Sequence, residues 1–323
     1  MAGRELKALF RAFKDGDELA FRRAALQIIE EEEGKQHVAL ARDLRRLVSG
    51  SSDVSVADAV QLPAPPTDRE GHWPLAEVRI PSRHLDELVL PGPLLDQVTL
   101  LAREYRQWDR LDDFGLPRRQ RVLFYGPPGC GKTSAAEGLA AELGLPLLLV
   151  RLDAVVSSYL GETASNLRRV FEYAASGSWV VLFDEFDALG KSRDDSLEHG
   201  EIKRVLNAFL QMLDSFRGRS LLVAATNHEH LLDPALWRRF DEAVEFPRPT
   251  THQIRRILRM RLPGDRRRGV DIDASASKLK GLPHAAAEKA AWDALRFAVI
   301  DGRSTATAAD MAMAVDSVTG RPR

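Results

Sequence analysis

Cysteine is almost missing from this chain: Cys130 is the single one in 323 residues. No internal disulfide can form, and such usage suits a reducing compartment. Excess charge of one sign is missing too. The 46 Lys and Arg residues against 47 Asp and Glu leave a formal net charge of −1, which exerts no global pull on nucleic acid or acidic membranes. No segment approaches the run of about 18 apolar residues that a membrane helix needs. The N-terminus interleaves Arg4, Glu5, Lys7, Arg11 and Lys14 with its apolar residues, which is not a signal peptide. These absences together predict a cytoplasmic protein with no membrane contact. Proteolytic motifs are absent as well. His228-Glu229-His230 is not H-E-x-x-H, and no G-x-S-x-G elbow occurs.

What is present separates into three regions. Residues 1–48 carry helical apolar faces (Leu6, Leu9, Phe10 and Phe13; Phe21, Ala25, Ile28 and Ile29; Val38, Ala41, Leu44 and Val48). A piece this small is marginal alone and is expected to lean on another body. Residues 49–71 read as a linker, with Ser49-Gly50-Ser51-Ser52 flexible and Pro63-Ala64-Pro65-Pro66 extended. From residue 72 short apolar runs alternate with helical patterns: Val122–Tyr125, Leu145–Val150, Trp179–Phe183, Ser220–Ala225 and Ala243–Phe246. That alternation predicts an α/β domain over 72–249, a parallel sheet with helices on both faces. After Pro247 and Pro249 the strand signals stop, and 250–323 reads as a small all-helical domain. Thr307 and Asp310 have capping-box spacing there.

Gly126-Pro127-Pro128-Gly129-Cys130-Gly131-Lys132-Thr133, with Ser134 next, fills every fixed position of the G-x-x-x-x-G-K-[ST] phosphate loop. An apolar run leads in, and a helical pattern through Ala135, Ala136, Leu139, Ala140 and Leu143 follows. Glycines let backbone N–H groups curl toward phosphate oxygens, and the helix presents its N-terminus to the same charge. Lys132 can neutralise β- and γ-phosphate oxygens, and the Thr133 hydroxyl can ligate Mg²⁺. Cys130 occupies a variable loop position, where it serves as a small residue; the competing reading is a redox switch that blocks the loop. The strand Trp179–Phe183 ends in Asp184 and Glu185, suited to holding Mg²⁺ through water and to polarising an attacking water. Asn227 follows another strand, where an amide can orient that water or begin a turn. Arg238 and Arg239 offer planar positive charge to a phosphoryl transition state, or else pair with surface carboxylates.

These motifs, in this order, resemble the AAA+ ATPases and within them the AAA clade, over about residues 84–318. The resemblance implies ATP bound with Mg²⁺ between subunits of a homo-oligomeric, hexameric ring, with Arg238 and Arg239 reaching a neighbour's γ-phosphate and Asn227 acting as the sensor. It further implies that Asp86–Leu95 borders the adenine and that Gly281–Glu288 opens the lid helix; no dedicated lid arginine is evident. Tyr159-Leu160-Gly161 matches the pore loop of protein-threading members. An aromatic ring can grip any side chain, and a glycine lets the loop swing; Tyr159 could equally cap local packing. The function so implied is an ATP-driven motor that remodels, unfolds or threads protein substrates. The alternative is a nucleotide-dependent switch or loader that acts on an assembly or nucleic acid without threading. Near-neutral charge favours the protein substrate over nucleic acid. With no proteolytic motif in the chain, any protease or adaptor is expected to be a separate chain, and the C-terminus Gly320-Arg321-Pro322-Arg323 lacks the hydrophobic–tyrosine ending by which some ATPase rings dock on peptidase chambers.

Overall fold

The computed structural model describes residues 10, 21, 24–29, 64–68, 73–156, 160–189, 199–229 and 234–320. Most of the 1–48 helical region, most of the 49–71 linker and Tyr159 lie outside them.

Six strands form one sheet: β1 (Ala76–Arg79), β2 (Arg121–Tyr125), β3 (Leu147–Val150), β4 (Val180–Phe183), β5 (Leu221–Thr226) and β6 (Glu242–Glu245), in spatial order β1-β3-β4-β5-β2-β6. The last five are mutually parallel, while β1 runs antiparallel to β3. The antiparallel edge strand is a correction to the all-parallel expectation. Its sequence, Ala-Glu-Val-Arg, is short and half polar, and so gives little strand signal.

Alternate residues of each strand serve opposite faces, as a period of two requires. On one face Leu123, Val181, Phe183, Leu222 and Ala224 meet α3 (Leu160–Ala175) and α4 (His199–Ser215), through Leu167, Val170, Phe171, Phe209 and Leu213. On the other, Val122, Phe124, Val180, Leu182, Val223 and Ala225 meet α1 (Gly92–Arg106) and α2 (Lys132–Leu143), through Val98, Leu101, Ala135, Ala136 and Leu139. Each large apolar side chain fully buried in this way contributes about 1.5–3 kcal/mol.

The C-terminal region packs α5 (Thr251–Arg261), α6 (Ile272–Lys278), α7 (His284–Ile300) and α8 (Ala308–Thr319) around its own core. Alanines at 287, 290, 291, 294 and 298 let α7 approach its neighbours closely. Reciprocal capping boxes start α5 (Thr250 with Gln253) and α8 (Thr307 with Asp310). This region is not purely helical: β7 (Arg267–Arg268) and β8 (Ala306–Thr307) form a two-residue parallel ladder. Part of the Arg266–Arg268 cluster enters that ladder, and Arg267 donates to the Leu262 carbonyl at 2.9 Å. The final residues of the linker also differ from a free spacer. Thr67 bridges Pro74, and Leu75 N–H donates to the Pro66 carbonyl at 2.8 Å.

Candidate nucleotide site

The parallel order places the carboxyl ends of β2, β5 and β4 side by side, and each carries one sequence-predicted element. Loops at that edge of a parallel sheet are where such folds bind ligands.

The loop after β2 turns under tight constraint. Gly126 has φ 130°, and a Cβ there would lie 2.4 Å from the Phe246 carbonyl oxygen, so only glycine fits. Gly131, with φ 99°, caps α2 and brings no side-chain hydrogen bond to it. The first-turn N–H groups of α2 therefore remain free of intrahelical and cap acceptors, aimed at the cleft with the positive end of the helix dipole. Lys132 is buried, and its Nζ donates to the carbonyls of Gly126 at 2.6 Å and Pro127 at 3.0 Å. Burial lowers its pKa; Cys130, Asp184, Glu229 and Asp187 push the other way. Thr133 Oγ1 donates to Asp184 Oδ2 at 2.6 Å, joining the loop to the tip of β4.

Asp184 also accepts from the Glu185 N–H at 3.0 Å. Glu185 has φ 50° and is the sole non-glycine with positive φ among the described residues. Such a conformation costs of order 1–3 kcal/mol, and it turns the exposed carboxylate off the strand tip toward the cleft. At the tip of β5 the Thr226 hydroxyl donates to Asp187 at 3.0 Å and accepts from the His228 N–H at 3.0 Å, fixing the backbone on both sides of Asn227.

The cleft of about 300 Å³ brings together Pro128, Gly129, Cys130, Gly131, Lys132, Thr133, Ser134, Asp184, Glu185 and Asn227. The segment 87–90 and the lid helices α5 and α7 close its far end. Pro283 caps α7 without a side-chain bond, and the Ala285 N–H donates to the Gly129 carbonyl at 3.0 Å. The phosphate loop thus takes up a donor of the lid. Arg248 adds a second tie to the lid through the Gly281 carbonyl. Burial raises the Cys130 thiol pKa, which disfavours the reactive thiolate and weakens the redox-switch reading.

Sequence reasoning missed two residues here. Arg83 donates to Ser134 Oγ at 2.9 Å, and Arg261 enters from α5, held by Glu288 at 2.8 Å. Neither belongs to a local motif; each arrives from a distant segment. Arg238 and Arg239 are exposed and do not line the cleft of their own chain; Arg239 pairs with Asp214. Leu160 and Gly161 begin α3, while Tyr159 is outside the described residues.

Known proteins are similar to this chain in sequence. The family described as "ATPase family associated with various cellular activities (AAA)" matches residues 122–248. The chain is 40% identical over 302 residues to an uncharacterized AAA family ATPase of Sinorhizobium fredii, covering 93% of this chain and 90% of that protein. It is 36% identical over 219 residues to the proteasome-activating nucleotidase of Pyrococcus horikoshii, covering 66% of this chain and 55% of that one. It is 37% identical over 227 residues to the ATP-dependent zinc metalloprotease FtsH 3 of Sphaerobacter thermophilus, covering 67% of this chain and 46% of that protein. The chain therefore spans about half the length of these last two relatives.

Proposed function

Because this chain belongs to the AAA family of ATPases, binding nucleotide and hydrolysing ATP, we propose that it is a ring-forming motor that remodels protein substrates by drawing them through a central pore. The observation that carries the site assignment is the 2.6 Å contact between Thr133 and Asp184 beside the uncapped N-terminus of α2. These are the two residues that would hold Mg²⁺. Among the described residues no three His, Cys, Asp or Glu side chains cluster around a metal position. A magnesium ion needs no such cage, because phosphate oxygens and water complete its shell. Bound there, it would neutralise charge on the β- and γ-phosphates.

Lys132 exchanges the Gly126 and Pro127 carbonyls for phosphate oxygens. Glu185, at the tip of β4 and lining the cleft, accepts a proton from the attacking water. Asn227 positions that water or the γ-phosphate. Arg238 and Arg239, which are exposed and do not line their own cleft, stabilise transition-state charge in the neighbouring subunit. Relatives named for activating a proteasome and for ATP-dependent proteolysis support a protein substrate. Among the described residues no helix is long and apolar enough to cross a membrane, which is compatible with action in the cytoplasm.

Two variants test this reading. Glu185→Gln is expected to bind ATP and to hydrolyse it at least about 100-fold more slowly, as loss of a general base entails. Normal turnover would remove Glu185 from its role. Tyr159→Ala is expected to retain ATP hydrolysis and lose unfolding of a tagged reporter protein. Retained unfolding would favour the loader that works without threading.

A further inference from the structure

The motif residues do not answer all the charge of a bound triphosphate. Lys132 and the Mg²⁺ position at Thr133 and Asp184 serve the β- and γ-phosphates. The α-phosphate, next to the sugar, is left with backbone N–H groups. One cationic side chain in the cleft has no assigned task. Arg83 is half-buried, lines the cleft and donates from Nη1 to Ser134 Oγ at 2.9 Å. Among the described residues it forms no ion pair, whereas Arg261, which also lines the cleft, is held by Glu288 at 2.8 Å. A neutral hydroxyl occupies one N–H donor of the guanidinium and leaves its charge uncompensated.

The fold holds Arg83 at this place. Ser134 and Gly138 lie one turn apart on the same face of α2. The segment carrying Arg83 crosses that face in contact: a Cβ at Gly138 would lie 2.7 Å from Leu85 Cδ2 and 3.2 Å from the Leu85 backbone nitrogen. Leu85 is buried there, which keeps Arg83, two residues earlier, over the first turn of α2. A nucleotide with its γ-phosphate at Thr133 and Asp184 and its base against the apolar end of the cleft has its α-phosphate between the two, at Ser134. We propose that Arg83 is the counter-ion of the α-phosphate: one N–H stays on Ser134, and the free edge of the fork donates to a non-bridging α-phosphate oxygen. The assignment rests on the nucleotide reading above and extends it to the part that ATP and ADP share. Contacts to the γ-phosphate end with hydrolysis. This one persists, so Arg83 sets how long ADP is retained.

The test is competition against a fluorescent ADP analogue on the full chain, in metal-free buffer. The competitors are ATP, ADP and the two diastereomers of ADP that carry sulfur at one non-bridging α position. Sulfur is a poor acceptor, and only one of the two positions faces the guanidinium. The wild type is therefore expected to prefer one diastereomer by at least about fivefold. Arg83→Ala is expected to weaken ATP and ADP by the same factor, about tenfold, and to bring the diastereomers within about twofold of each other. Arg83→Lys, which keeps the charge without the fork, is expected to regain part of the affinity with a reduced preference. It supplies the same reading if the alanine variant does not fold. An arginine that only orders the loop through Ser134 would weaken both diastereomers alike and leave the preference intact in either variant. That result overturns the assignment. So does equal binding of the diastereomers by the wild type, or a loss confined to ATP, which would move the contact to the γ-phosphate. If the wild type binds neither ATP nor ADP, the nucleotide reading itself falls, and this assignment falls with it.

Discussion

Lys132 illustrates how much a single position carries. It is a buried ammonium satisfied only by two carbonyls of its own loop, with three carboxylates nearby that raise its pKa against burial. An ammonium so placed is a poor stabiliser and a good phosphate ligand, since carbonyls are weaker partners than phosphate oxygens. Lys132→Ala is expected to reduce ATP affinity about 100-fold, the loss of charge-assisted bonds to two phosphates, in a labelled-nucleotide titration. Affinity within threefold of wild type would contradict the phosphate-loop assignment. Lys132 could be picked out in the sequence because its motif is contiguous. Arg83 and Arg261 could not, since nothing in their own neighbourhoods distinguishes them from other surface arginines.

At the scale of elements, helix starts divide into two kinds. α5 and α8 begin with complete capping boxes and stabilise the lid. α1, α2 and α7 begin without side-chain caps, and the starts of α2 and α7 line the cleft. The orphan N–H groups of an uncapped helix start need water, a ligand or a neighbouring loop to complete them. The α8 box has a measurable consequence. Asp310 is held well below the usual carboxylate range, chiefly by Arg303 and also by Thr307, against the opposing effect of burial. A carboxyl whose folded pKa is depressed contributes stability above its unfolded value, near 3.9, and loses it as pH falls below that. Asp310→Asn is expected to lower lid stability by about 1–2 kcal/mol at pH 7 and to flatten the decline of the thermal midpoint between pH 5 and 3. A decline as steep as that of the wild type would remove Asp310 from this role. The capping spacing was visible in the sequence; Arg303 as the partner was not, because the turn between them decides their approach.

At the scale of the whole molecule, the site is divided. The cleft gathers the phosphate loop, the two acids and Asn227, but Arg238 and Arg239 stay on an exposed surface. On the function proposed above, arginines set apart from their own chain's cleft would serve another copy. Mixing Arg239→Ala with Glu185→Gln tests this. Each is expected to be inactive alone. At a mixed interface one subunit supplies the intact acid and the other the intact arginine, so ATPase activity is expected to reappear. No recovery at any mixing ratio would place the arginine's action within its own chain.

The sequence by itself determined the α/β class, the phosphate loop, the acid-tipped strand and the helical character of the lid, because each rests on spacing within one segment. Only the tertiary structure decided the antiparallel edge of the sheet, the β7–β8 ladder and the bond from the lid to Gly129. Contacts between segments far apart in the chain depend on how layers pack, and no local pattern of residues encodes that.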